Sequence, residues 1–402
     1  MLSNLKLRAS YGLTGNSEIL PYSSLSLLRT VTGVVNNARV VGVATNRLGN
    51  PDAQWEKTTQ SDIGLEIGLL NNRISIEADV YYRKTTDMLL SAPLPVTSGY
   101  DVITRNVGSM ENKGFELALN TENISNSDFT WTTSFNFALN RNKILKLANP
   151  APIFGVGNPN FTNQTGVIME GEPVGSFWGL VRLGTWGTDE TAEAALYGSN
   201  TYRGTGKPLL PGDIKYLDVN GDHAINDLDR MIIGNGNPDY YGAFINNIKY
   251  KAFDFLLDLQ YSYGNDVLNM TKHSGEDRTG LANSDKSVLD AWTSENQNSD
   301  VAATRDSKAG YVSNVDTRWV EDGSFLRGRN LVLGYTLLGS VTEKLKLSRA
   351  RVYVSVQNFF LLTNYSGNDP EVSTYNNPFA QGQTFFDYPK PTVYMFGLSI
   401  GL

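Results

Sequence analysis

Apolar and polar residues alternate along most of this chain with a period of two, which is the spacing of a β-strand whose two faces meet different surroundings. Ile74, Ile76, Ala78, Val80 and Tyr82 share one face, and Ser75, Glu77, Asp79, Tyr81 and Arg83 the other. The pattern recurs at Trp131, Thr133, Phe135, Phe137 and Leu139, at Phe255, Leu257, Leu259, Tyr261 and Tyr263, at Ile63, Leu65, Ile67 and Leu69, and at Val352, Val354 and Val356. The last stretch places Tyr394, Phe396, Leu398, Ile400 and Leu402 on one face. Strands are expected at about residues 4 to 14, 55 to 69, 73 to 84, 106 to 120, 129 to 140, 238 to 250, 254 to 264, 319 to 337, 348 to 361 and 391 to 402.

The connections between these strands alternate in length. Leu70-Asn71-Asn72, Thr121 to Asp128, Lys251 to Phe253 and Leu338 to Leu347 are tight. The others are long, about 20 to nearly 100 residues; the region 141–237 is the longest, and the stretch richest in Gly, Asn and Pro, about 148 to 240, belongs to it. A transmembrane β-barrel has short turns at one rim and long loops at the other, so this alternation is what such a barrel predicts, whereas a soluble sandwich has no reason to make every second connection long. Each apolar face is about long enough to cross a hydrocarbon layer as a tilted strand. The fold expected is all-β, an antiparallel transmembrane β-barrel portion of about ten strands filling residues 1–402, with 141–237 as a long extracellular loop region.

Composition narrows the function. The chain has 402 residues with 38 Gly, 20 Tyr and 17 Phe, a mixture that favours strands and turns over helices. Its net charge of −7 has both signs interspersed, so no basic stripe offers itself to nucleic acid. The absence of cysteine excludes disulfides, thiolate catalysis and cysteine zinc sites. The two histidines, His223 and His273, leave little for a zinc site or a Ser-His-Asp triad. No apolar run approaches the roughly 20 residues of a membrane helix, and Met1-Leu-Ser-Asn-Leu-Lys-Leu-Arg8 is not a signal peptide.

The sharpest local constellation is Asp218-Val-Asn220-Gly-Asp222-His-Ala224-Ile-Asn226-Asp-Leu-Asp229. Side-chain oxygens from Asp218, Asn220, Asp222, Asn226 and Asp229, with the carbonyl of Ala224, follow the spacing of a calcium loop, and Ca²⁺ takes six to eight oxygens. His223 stands where the tight turn usually has glycine, and Asp229 is shorter than the usual glutamate; the alternative is an Asn-Gly turn with solvated carboxylates. Trp178, Trp186, Tyr197 and Tyr202, in the longest loop, are candidates for stacking on cargo or a partner, or for anchoring the loop. The pairs Glu111/Glu116 and Glu321/Asp322 suggest glycoside hydrolysis less well than carboxylates facing a polar lumen. Gly171-Glu-Pro-Val-Gly175 lacks the Lys-Ser/Thr of a phosphate loop.

Several segments resemble, in order, those of SusC/RagA-type TonB-linked outer-membrane proteins: Leu5-Lys-Leu-Arg-Ala-Ser-Tyr-Gly-Leu-Thr-Gly-Asn16, Asn50-Pro-Asp-Ala-Gln-Trp-Glu-Lys-Thr-Thr59, Tyr81-Tyr-Arg-Lys-Thr-Thr-Asp-Met-Leu-Leu90, Asn106-Val-Gly-Ser-Met-Glu-Asn-Lys-Gly-Phe-Glu116, Pro211-Gly-Asp-Ile-Lys-Tyr216, Trp319-Val-Glu-Asp-Gly-Ser-Phe-Leu-Arg327, Leu331-Val-Leu-Gly-Tyr335 and Asn368-Asp-Pro-Glu371. The resemblance implies the C-terminal part of a barrel of about 22 strands, with the plug and early strands elsewhere and uptake energised through the TonB complex. It also implies a SusD-like surface lipoprotein as partner, oligosaccharide or peptide as cargo, and no catalysis. Ten strands leave two edges that lipid does not tolerate, so the chain is expected to be a piece of a longer protein. The rival expectation, from the residues alone, is a soluble all-β carbohydrate-binding or hydrolytic module with a calcium-stabilised loop.

Overall fold

The computed structural model describes residues 1–402 except 17–23, 95, 101, 157–164, 198–208, 277–282, 305–313, 345 and 373–377. Ten strands form one hydrogen-bonded antiparallel sheet in simple sequence order: β1 Leu2–Asn16, β2 Glu56–Leu69, β3 Ile74–Pro93, β4 Val102–Ser125, β5 Phe129–Lys146, β6 Tyr240–Tyr250, β7 Phe253–Tyr263, β8 Phe325–Thr336, β9 Arg349–Thr363 and β10 Val393–Gly401. Among the described residues no helix is long and apolar enough to cross a membrane; crossing by strands is a separate matter.

By internal contacts the chain forms two units. The first comprises Met1–Ala118 with Ala138–Pro152 and Met169–Pro173; the second comprises Leu119–Phe137, Ile153–Ile168 and Val174–Leu402. In the first unit β1 pairs with β2 and β2 with β3 in regular register, Leu7 opposite Leu65 and Leu65 opposite Ala78. The apolar face of these strands is bare, Leu7 being 73% exposed. The opposite face is ionic. Arg8 donates to Glu66 and Glu77 at 2.6 Å each and to Asp79 at 3.0 Å, tying three strands together through one guanidinium.

In the second unit β6 to β10 repeat the arrangement. Phe396, 84% exposed, and Leu398 stand on the face of β10 that lies beside Val354 and Val352 of β9. Water would make such a surface costly, whereas hydrocarbon makes it the favoured one. Asn246 is buried on the same side as Trp131 and Thr133, and its amide oxygen accepts from Trp131 Nε1 at 2.9 Å and from Thr133 Oγ1 at 2.8 Å. A polar group on an apolar face is thereby closed off from its surroundings.

All ten expected strands are present, and their lengths are the main difference. β4 runs for 24 residues and β3 for 20, about twice what a bilayer requires, so both continue beyond it. The link 94–101 is consequently short where a long one was expected. The tight link placed at 121–128 contracts to Asn126–Asp128, where the Asn126 side chain accepts from the backbone of Asp128 and Phe129. The expected strand 319–337 divides: Val320–Asp322 joins a separate small sheet, and β8 begins at Phe325. The break falls at Gly323, whose N–H donates to the Asn265 carbonyl and where a Cβ would meet Asn265 Nδ2 at 2.3 Å.

The link between β1 and β2 carries a hairpin that the period-two reading passed over, Leu27–Val35 with Ala38–Arg47. Its two-residue turn, Asn36-Asn37, has φ of 50° and 59°, the left-handed pair that asparagine tolerates and hairpin twist prefers. Among the described residues the 147–239 link holds six short strands and the helix α1, Thr191–Leu196; the 264–324 link begins with Asp266–Asn269 and the helix α2, Met270–Glu276.

Candidate functional site

The long links of the second unit fold into a small apolar body. Four strands, Ile153–Val156, Gly166–Ile168, Ser176–Gly179 and Met231–Asn235, form one sheet, while Asp266–Asn269 pairs with Val320–Asp322 and with Gln383–Thr384. Phe177, Leu268, Met270, Val315 and Trp319 make its core. At the centre stands Asp316, 0% exposed. It receives Arg182 at 2.9 and 2.5 Å and the Tyr216 hydroxyl at 2.8 Å, and it caps the turn Thr317–Trp319 by accepting from the Arg318 N–H at 2.9 Å. Burial alone would lower the Arg182 pKa, but the Asp316 and Tyr216 oxygens beside it outweigh that and hold it raised. Arg182 and Arg318 lie over the Trp319 ring, at 5.2 and 5.7 Å from its centroid, and Arg318 is itself bound by Glu276 at 2.9 Å.

Two segments singled out in the sequence meet here. Glu321 accepts from the Ser366 N–H and hydroxyl at 2.8 Å each and from Lys272 at 3.1 Å. Its burial works against ionisation, yet the Ser366 hydrogen bonds and Lys272 keep its pKa lowered. Arg327 of β8 donates to Asp369 at 2.7 Å, and Glu371 is held by Lys390 at 2.6 Å and by Gln260 of β7 at 3.0 Å. The runs 319–327 and 368–371 are therefore the two halves of one clamp that ties loops to strands. Beside it opens a cavity of about 560 Å³ on the polar face, lined by Tyr241, Gln260, Ser262, Asn265, Phe325 and Glu371, among others. Tyr241 is 46% exposed. With Glu371 neutralised by Lys390 and Arg327, what the cavity offers is aromatic surface, amides and hydroxyls.

The structure separates the residues expected to contact cargo. Trp178 is half-buried against Phe154, with ring centroids 5.4 Å apart. Trp186 is 2% exposed, packed on Tyr197 and covered by Lys215, so it anchors the loop rather than facing outward. Tyr197 fills the same core and meets His223 edge-on. Tyr202 lies outside the described residues. The paired carboxylates are likewise engaged: Glu111 bonds Lys113 and the Tyr82 hydroxyl, and so shares a side with Tyr82 instead of the polar face expected for it. Glu321 and Asp322 are successive strand residues used as loop anchors. The Arg182–Asp316–Tyr216 cluster escaped sequence reading because its members are up to 134 positions apart, and the Pro211–Tyr216 segment that contains Tyr216 carries no sign of its partners.

The loop 218–229 is closed by its own backbone. Asp218 accepts from the N–H groups of Gly221 at 2.7 Å and His223 at 2.9 Å, and Asp229 from those of Val219 at 3.0 Å and Asn226 at 2.8 Å. Asp222 accepts from the Ala224 N–H, the Asn220 side chain bonds Asp222, and the Ala224 carbonyl takes the Asn226 side chain. His223, at the position flagged in the sequence, adopts φ of 59°. The donor set fits an oxygen-loving cation in kind, but among the described residues no three His, Asp or Glu side chains converge to hold one.

Asp316→Ala leaves Arg182 buried without its counter-charge, a loss of about 3 to 5 kcal/mol. Limited proteolysis is expected to open the 174–239 and 264–324 segments while the ten strands stay protected; wild-type resistance would remove Asp316 as the centre of this body. A second expectation concerns alkali. Burial pushes the Tyr365 phenol from 10.0 up to about 12. Because the folded value is raised, the stability linked to it is complete below pH 10 and drains away as pH climbs toward 12. Fluorescence of the buried tryptophans should show that step, and Tyr365→Phe should abolish it.

Comparison with known proteins agrees with this architecture. Residues 2–228 match the family described as TonB dependent receptor-like, beta-barrel. TonB-dependent receptor P3 of Formosa agariphila is 37% identical over 410 residues, covering 99% of this chain and 39% of that protein. TonB-dependent receptor SusC of Bacteroides thetaiotaomicron is 29% identical, covering 100% of this chain and 38% of SusC. The RagAB peptide transporter superposes on 99% of this chain and 41% of its own, with a TM-score of 0.78 and 30% identity. The chain thus spans about two-fifths of the curated relatives it matches. It belongs to the TonB-dependent receptor-like β-barrel family, in its SusC/RagA branch, and its place is the outer membrane.

Proposed function

We propose that these ten strands are the C-terminal part of a TonB-dependent importer that takes up oligosaccharide together with a SusD-like surface lipoprotein. The observation that carries the reading is the pairing of a bare apolar face, suited to lipid, with a polar face on which the loops build a charge-neutral cavity of about 560 Å³. A polyhydroxylated ring can lie against Tyr241 while the amides of Gln260 and Asn265 and the hydroxyl of Ser262 bond its oxygens. A charged peptide terminus would find no uncompensated partner there. Peptide remains the competing cargo because a relative of 30% identity is a peptide transporter. Uptake requires no group that makes or breaks bonds, and the soluble-module alternative has no use for the bare apolar face.

The test is growth and uptake in cells whose full-length gene carries Tyr241→Ala. Loss of one stacking aromatic is expected to weaken oligosaccharide capture about ten-fold, or about 1.4 kcal/mol, with peptide uptake absent in wild type; peptide uptake that depends on Tyr241 would reverse the cargo assignment. For the 218–229 loop the proposal is a structural Ca²⁺ held by Asp218, Asn220, Asp222, Ala224, Asn226 and Asp229. Adding Ca²⁺ should then raise the protease resistance of this loop, and chelation reverse it; indifference to both would leave the self-closed turn as the whole account.

A further inference from the structure

On the outward face of the first unit the apolar band stops at one level. Ile63 stands opposite Val80, the two being 62% and 56% exposed. One step further along that face Ser61 stands between Tyr82 of β3 and Tyr11 of β1. From Ile74 to Tyr82 is about nine residues, the length a tilted strand needs to cross hydrocarbon. Tyr11 and Tyr82 therefore mark the boundary with the headgroups at the loop end, where strands of this kind carry aromatic rings.

Beyond the tyrosines the same face turns basic. Lys84 follows Tyr82 on β3 and is exposed. Lys113 of β4, with 58% of its side chain exposed, lies over the Tyr82 ring at 5.4 Å. Lys143 of β5 is exposed and near enough for its charge to act on Glu111. The residues between these fix the side. Tyr81 covers Gly114, where a Cβ would meet its ring at 2.3 Å, and its hydroxyl donates to Asn140 at 3.1 Å, so Tyr81, Gly114 and Asn140 share the polar face. Positions 84, 111, 113 and 143 alternate with them and point outward. Glu111, the carboxylate in this patch, is engaged by Lys113 at 2.8 Å and by the Tyr82 hydroxyl at 3.1 Å. Asp87, further along β3, is held by Lys57 at 3.0 Å. Three lysines thus stand against one carboxylate, directly above the bare Ile63 and Val80. A soluble anion would be drawn by the lysines but has no use for those side chains. A lipid uses both from one side, with its phosphate among the lysines and its acyl chains running down the apolar band. We infer that this patch binds the phosphate of an anionic lipid in the leaflet at the loop end, an inference that rests on the chain's position in the outer membrane.

The test uses the full-length protein in detergent and native mass spectrometry, with phosphatidylglycerol, phosphatidylcholine or inorganic phosphate as probe. Wild type should retain phosphatidylglycerol over phosphatidylcholine, and each neutralised lysine should cost about five-fold in that retention. Lys84→Gln alone reads one such step at an exposed side chain. Lys84→Gln, Lys113→Gln and Lys143→Gln together should erase the preference, while Lys84→Arg, Lys113→Arg and Lys143→Arg together keep it. Arg83→Gln removes a cation from the polar face of the same strand, where it bonds Gln60, and should leave retention as it was. Unchanged retention in both glutamine variants of the lysines, or an equal loss with Arg83→Gln, overturns the site. Displacement of the lipid by millimolar inorganic phosphate overturns the lipid as its source. Heat-dependent gel mobility separates the two levels: a heat-modifiable protein indifferent to phosphatidylglycerol refutes the lipid site alone, whereas a protein without that behaviour refutes the membrane placement beneath it.

Discussion

Hydrocarbon offers no hydrogen-bond partner, so every backbone N–H and C=O of a segment crossing it must be satisfied by another strand. That single requirement accounts for most of the molecule. It forces consecutive strands to pair with their neighbours, which they do in unbroken sequence order from β1 to β10. It also fixes the register, because a slip of one residue would carry Leu5, Leu7 and Leu13 to the polar face and Lys6 and Arg8 into lipid. Side chains then divide according to the medium they meet, and polar groups on the wrong side, such as Asn246, are admitted only with their partners supplied.

Outside the sheet the physics changes. The loops bury an apolar core of their own around Phe177, Leu268, Met270, Val315 and Trp319, and ionic groups that no water reaches fix how it is arranged. Asp316 joins a strand, a turn and a tyrosine through oxygens that accept from Arg182, the Arg318 N–H and Tyr216. A buried pair of this kind adds less to stability than to choice of arrangement, because any other packing strands a charge. Glu321 and Asp369 do the same for the segments on either side of β8 and β9.

These two regimes explain what was legible in the sequence. Period-two alternation is a local signal and each strand carries its own copy, so all ten could be placed, with errors where a strand outruns the bilayer and the alternation ceases to be enforced. The 27–47 hairpin carried a readable cue in Asn36-Asn37 between β-branched runs, but it lay inside a stretch already assigned to loop. The aromatic residues of the longest loop were readable as important and not as to why: residue type cannot tell Trp186, which is core, from Tyr241, which lines a cavity. The 218–229 spacing was legible as a turn rich in oxygen acceptors, and what those oxygens accept depends on backbone angles that spacing does not encode. The segments 319–327 and 368–371 stood out as family signatures, and their partnership through Arg327 and Asp369 became visible only in three dimensions.

That partnership has a consequence for how such proteins diversify. The fixed ends of the clamp, Gln260 and Arg327, belong to the sheet, while the stretches between the anchors are free of that duty. The rim thus works as a socket: a new loop need bring only an acidic plug resembling Asp369 and Glu371 to be seated, and everything else in it is available for reading a different molecule. One scaffold can so be refitted many times over without being rebuilt.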